Sequence, residues 1–149
     1  MDSRPLIAIS WVLFLAMFTL VTAVVVARFR SEKPSGIAII AAALPGLVML
    51  GLFYSLAIHM HRSLGTWPNY IGEKGFSPLL IAHSEITINY FGASFFLALF
   101  VWPIFFILCL TVPRWRRLVK YLAVCAFSFF ASYSLMMLAP SPFLSWWWD

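Results

Sequence analysis

The chain has 149 residues, of which 63% are hydrophobic and 10% charged, with a formal net charge of +5 at neutral pH. A water-soluble domain of this length has too little interior to hide so much apolar surface, so the composition excludes a soluble protein and points to an all-α, polytopic membrane protein. The positive charge does not indicate nucleic acid, because the basic residues form short clusters beside apolar runs, where the orientation rule and anionic lipid headgroups account for them.

Crossing a hydrocarbon core of about 30 Å takes roughly 20 apolar residues at about 1.5 Å each. Four stretches qualify: 6–27, 37–58, 78–112 (most apolar from 90 onward) and 118–138. Inside lipid every backbone polar group needs a partner from the chain itself, and none of these runs alternates with a period of two, so all four read as helices and not as barrel strands. The expectation is a single four-helix transmembrane domain over residues 1–149, with a loop at 59–77.

The first stretch exceeds the apolar run of a secretory signal and has its charges on the wrong side, with "RFRSEK" after it and only Arg4 before it. It reads as a retained helix, with Ala16, Thr19, Ala23 and Ala27 forming a small-residue seam for a neighbouring backbone. The connections then alternate in charge. The first and third hold Arg28, Arg30, Lys33, Arg114, Arg116, Arg117 and Lys120, against Arg4, Arg62 and Lys74 on the other side. This split predicts that both termini and the 59–85 region face outward, which in a bacterial inner membrane is the periplasm.

The second stretch has Ala42 with Gly46, and Gly51 with Ser55, at small-xxx-small spacing, and Pro45 within its span. Its end carries His59, His61 and Arg62 in a last turn closed by Gly65, where the carbonyl ends of the helix favour cations and ring donors. His59 and His61 are two residues apart, about 200° around a helix, so they cannot grip one ion from a regular face.

All three histidines of the chain fall between residues 59 and 83. Between them, "TWPNYIGEKGF" supplies Gly72 and Gly75 as turn points and Trp67, Tyr70 and Phe76 as amphipathic contacts, the pattern of a compact surface loop. Ser77 and Pro78 form an N-cap and first-turn pair that predicts a helix running directly into the third span. On that helix His83, Thr87, Tyr90 and Ser94 stand at i, i+4, i+7 and i+11, a polar stripe descending from the surface, while Glu85 and Asn89 lie on roughly the opposite side. The motif "LGTWPNY" followed by an outward histidine resembles a loop in small, uncharacterised four-helix membrane proteins of bacteria; the likeness covers about a fifth of the chain and implies a four-helix layout without assigning an activity.

The third span contains Pro103, a potential kink. Cys109 and Cys125 lack metal-type spacing and read as small apolar residues. Ser128 and Ser132 give the fourth span its own small-residue positions. Beyond Pro140 and Pro142, the ending "FLSWWWD" places Trp146, Trp147 and Trp148 where indole rings anchor in the headgroup layer.

Three functional classes remain. The first is a non-catalytic accessory or assembly subunit of a membrane complex, with a membrane-protein partner or self-association; it rests on the lack of a metalloprotease pair, a nucleophile elbow, a phosphate loop or a mid-span acid. The second is a redox protein or a metal-, haem- or quinone-binding protein, with an outward site drawn from His59, His61, His83, Glu85, Thr87 and Tyr90, in which the histidines are the candidate metal ligands. The third is an oligomeric transporter or channel, disfavoured because His83 and Glu85 lie near the surface and not at the midplane. No catalytic residue and no particular cofactor follows from the sequence.

Overall fold

The computed structural model describes residues 35–68 and 76–148. The stretch 6–27, its small-residue seam and the loop residue Tyr70 lie outside them. The described residues are helical throughout their regular structure: α1 (Gly36–Leu64), α2 (Pro78–Phe96), a π-helical turn (Leu97–Val101), α3 (Trp102–Thr111), a 3-10 turn (Pro113–Leu118), α4 (Val119–Met136) and α5 (Ser141–Trp148). The α2, π and α3 segments follow one another without a break. Three helices, Gly36–Leu64, Pro78–Thr111 and Pro113–Met136, are long and apolar enough to cross a membrane.

Local chemistry sets the ends. Gly65 closes α1 with φ of 70°, a left-handed conformation that costs glycine little, and its N–H bonds to the His61 carbonyl. At the start of α2 the Ser77 hydroxyl accepts the Leu80 N–H at 3.2 Å and Pro78 fills the first turn, as the Ser–Pro pair implies. Inside the spans, α1 continues through Pro45, which cannot donate to the Ala41 carbonyl. Pro103 is preceded by the π turn, in which the Trp102 N–H reaches back to the Leu97 carbonyl, a wider ring that accommodates the missing donor.

The chain runs up, down and up. A bond from the Ser35 N–H to the Tyr121 hydroxyl joins the start of α1 to α4 at one end, and a bond from the Tyr54 hydroxyl to the Leu135 carbonyl joins the same helices near the other. Between α3 and α4, Trp102 Nε1 donates to the Leu122 carbonyl. α1 and α4 approach closely at Gly46, where a Cβ would sit 2.6 Å from Ser128 Oγ and 2.7 Å from the Ser128 carbonyl carbon. Only a residue without a side chain permits that crossing.

The largest buried core gathers at the loop end. Met49, Phe53, Leu56, Ala57 and Met60 of α1 meet Leu80 of α2, Met136 of α4, Ala139, and Phe143 and Trp146 of α5. This corrects the expected headgroup anchoring of the C-terminal tryptophans. Trp146 is only 3% exposed and stacks on Phe143, while Trp147 meets Phe53 and Phe91 edge-on; Trp148 alone of the three is about half exposed. The cause is that Pro140 and Pro142 do not simply end a helix. Pro142 lies in the first turn of α5, which returns the aromatic residues onto α1 and α2. Away from that core, Cys109, Val119 and Ala123 are buried, while Leu47, Phe100, Ile104 and Ile107 are exposed. Cys109 is buried, Cys125 is half-buried and both are free thiols.

Candidate functional site

The polar stripe of α2 faces α1. Thr87 and Ser94 are buried, and Tyr90 donates its hydroxyl to the Pro45 carbonyl at 3.0 Å. Thr87 donates to the His83 carbonyl, one turn back, at 2.8 Å. Glu85 and Asn89 are exposed on the far side. Helical spacing thus turns His83 toward the α1–α2 seam, two turns before Tyr90 ties the helices together.

There His83 meets His59. Their Nδ1 atoms are 3.0 Å apart and their ring centroids 5.3 Å apart, a difference equal to two centre-to-nitrogen radii of imidazole. The line joining the nitrogens therefore passes through both ring centres, and the two in-plane lone-pair directions point at each other. On its other side, His83 Nε2 lies 3.1 Å from Ser55 Oγ, whose hydroxyl donates to the Leu52 carbonyl at 2.9 Å.

One arrangement of the protons satisfies all of these contacts together. The one hydroxyl proton of Ser55 goes to Leu52, so Ser55 accepts from His83 Nε2–H. His83 Nδ1 of the neutral ring is then an acceptor, and His59 Nδ1–H donates to it. The outcome is a directed chain, His59 to His83 to Ser55 to the Leu52 carbonyl, which leaves the Nε2 lone pair of His59 without a partner among the described residues. The chain can take up one further proton without breaking: it enters at His59 Nε2 while the Nδ1–H goes on donating to His83. A second would set two N–H donors and two positive charges face to face.

The same geometry weighs the ligands expected from the sequence. Two axial ligands of one haem iron stand on opposite sides of the metal, roughly 4 Å apart at twice a metal–nitrogen bond; the 3.0 Å separation of His59 and His83 is too short for that arrangement. A metal shared by both Nδ1 atoms would draw the lone pairs toward a common point off the line between the rings, whereas these are head-on. A quinone accepting from His83 or Tyr90 finds both donors already committed within the chain.

His61 does not join the pair. It stacks on Trp67 with centroids 4.6 Å apart and ring planes 24° from parallel, and Trp67 in turn packs against Phe143. α1 remains regular through this turn, so His59 and His61 stay on different faces. Trp67 encloses His61 and not His83. Among the described residues, no three His, Cys, Asp or Glu side chains converge as a metal ligand set. Sequence reasoning assigned Ser55 only to packing; its value as a partner of His83 lies in its position one turn before His59, a signal available in the spacing.

No protein-family model matches the chain, and neither the curated proteins nor the solved structures include a match to it.

Proposed function

We propose that this is a multi-pass membrane protein, four-helical when 6–27 is counted, with its termini and loop outward, that acts as a binding protein through its loop-end histidine pair. The pair accepts a hydrogen bond, and with it one proton, from a ligand at the outer bilayer edge. The observation that carries this reading is the head-on Nδ1–Nδ1 contact at 3.0 Å, backed by Ser55 and open at His59 Nε2. A pair of surface histidines with no role beyond capping a helix needs no such alignment, since each ring finds water. The test is 15N NMR of imidazole-labelled protein in nanodiscs. His59 and His83 should show one proton shared between their Nδ1 atoms, which His61 should lack. Separate protons on His59 and His83, with no coupling between the two Nδ1 atoms, would remove the site.

A second reading, an accessory or assembly subunit of a larger membrane complex, is favoured by the Pro78–Thr111 helix. Its lower half exposes Leu97, Phe100, Ile104 and Ile107 without a cover from the described chain. Lipid covers such a face equally well, so the discriminating experiment is crosslinking from residue 104 in native membranes. A discrete protein adduct supports a partner; lipid adducts alone count against one.

A further inference from the structure

His59 belongs to an exposed row on α1. Ser55, His59 and Arg62 stand at i, i+4 and i+7, and therefore on one face, with Arg62 nearest the helix end. Ser55 and Arg62 are exposed, His59 is half-buried, and Arg62 has no acidic partner among the described residues. Apolar side chains flank the row: Ile58 on α1 is 53% exposed and Leu79 on α2 is 71% exposed. Of the other titratable groups nearby, His83 lies behind His59, His61 is turned about 200° away on α1 and bound to Trp67, and Glu85 is on the far side of α2. The exposed face thus offers a lone-pair nitrogen with room for one proton behind it, a guanidinium within one turn and a hydrocarbon border.

We propose that this row binds the carboxyl group of a long-chain carboxylic acid lying at the outer edge of the bilayer, with its tail along Ile58 and Leu79. The inference rests on the histidine-pair reading above. It follows from matching three requirements at once. The ligand must carry a proton acidic enough for imidazole to take, which an alcohol or an ester lacks and a phosphodiester headgroup has already lost. After giving it up, the ligand must suit two adjacent cationic donors, as a carboxylate does. It must also be an amphiphile, because the border of the row is apolar and opens at the end of helices long enough to cross a membrane. In the transfer, the carboxyl O–H bond breaks as His59 Nε2–H forms, and the His59 Nδ1–H stays donated to His83 Nδ1. The positive charge stays on His59 and the negative charge on the carboxylate between it and Arg62; no electrons leave either partner.

The experiment uses the full chain in nanodiscs of uncharged phosphatidylcholine, with 13C-carboxyl-labelled oleic acid as the probe. The labelled carboxyl should show saturable binding and a carboxylate chemical shift at a pH where oleic acid in empty nanodiscs is still half protonated. His59→Ala and Arg62→Gln should each weaken binding tenfold or more, with helical circular dichroism unchanged, and His61→Phe should stay within twofold of the parent. Methyl oleate should not compete. The proposal is overturned if methyl oleate competes as well as oleic acid, if both variants bind as the parent does, or if no saturable binding is found. Should oleic acid fail while the 15N spectra still show a proton shared by His59 and His83, the carboxylic acid is the wrong ligand and the histidine-pair reading survives.

Discussion

The loop end and the basic end of this bundle are made from equally apolar sequence, yet they are held together differently. At the loop end, α1, α2, α4 and α5 converge on Phe53, Leu56, Met60, Leu80, Met136 and Phe143, all nearly or fully buried. Toward the basic end, Phe100, Ile104 and Ile107 are exposed, and the buried apolar residues there, Cys109, Val119 and Ala123, are small. Four elements meet at the first end, one of them a short helix that lies outside the up-down-up path. Apolar content alone therefore does not say where a membrane protein is tightly packed; convergence of elements does. The histidine pair sits on the densely packed end, where its backbone supports are fixed well enough to keep two rings in line.

The sharpest way to break this comparison is to truncate one large apolar side chain at each end. Phe143→Ala empties a fully buried position and should cost about 3–5 kcal/mol, whereas Ile104→Ala, on an outward face, should change stability by less than about 0.5 kcal/mol. Thermal unfolding in nanodiscs, followed by tryptophan fluorescence, measures both. Equal losses would mean that the basic end has a packed interior of its own.

Next in size is the crossing that joins the two ends. Gly46→Ala drives a methyl group against Ser128 backbone and should cost about 1–3 kcal/mol, while Gly51→Ala, with nothing within 4 Å of the new carbon, should gain up to about 1 kcal/mol from helix propensity. A harmless Gly46→Ala in the same unfolding assay would place the contact between α1 and α4 elsewhere.

A third test isolates the histidines from their surroundings. A double-mutant cycle with His59→Ala and His83→Ala should return a coupling of roughly 0.5–1.5 kcal/mol, the worth of one hydrogen bond, while His61→Ala with His83→Ala should be additive. Additivity in both cycles would dissolve the pair.

The smallest expected effect concerns Trp146, whose buried Nε1 has no hydrogen-bond partner among the described residues. Trp146→Phe removes that N–H but keeps a ring, so its loss should stay below about 1 kcal/mol, against about 3–5 kcal/mol for Trp146→Ala. A large loss in the phenylalanine variant would show that the indole nitrogen has a partner in the folded protein.

How far the sequence led can be read from particular residues. The lengths of the three later spans, the Gly65 stop and the Ser77–Pro78 start are local signals, and the structure carries each of them. The stripe from His83 to Ser94 was legible because helical spacing is regular, and its burial against α1 agrees with the run of polar positions. The partner of His83 was not legible, because the depth at which α2 packs against α1 decides whether His59 or His61 lies opposite it. No spacing within one helix contains that depth. The C-terminal tryptophans misled for a related reason: an indole suits a headgroup layer or an aromatic core, and only the return of α5 onto Phe53 and Phe91 selects between them. The repeated Ser–Pro–x–Leu pattern, "SPLL" at 77–80 and "SPFL" at 141–144, was the available hint of a helix start at both places.

The position of α5 also orders events during synthesis. Phe53, Leu56 and Met60 leave the ribosome early, but the residues that seal them, Phe143 and Trp146, leave more than eighty positions later. Until then the loop end stands open, with its aromatic floor laid and its roof unmade, although the span-length helices before α5 have all been synthesised. Insertion and closure are thus separate events in time, and a nascent chain halted before residue 141 would have its span-length helices but an unsealed histidine end, exposed to whatever factors attend membrane proteins at that stage.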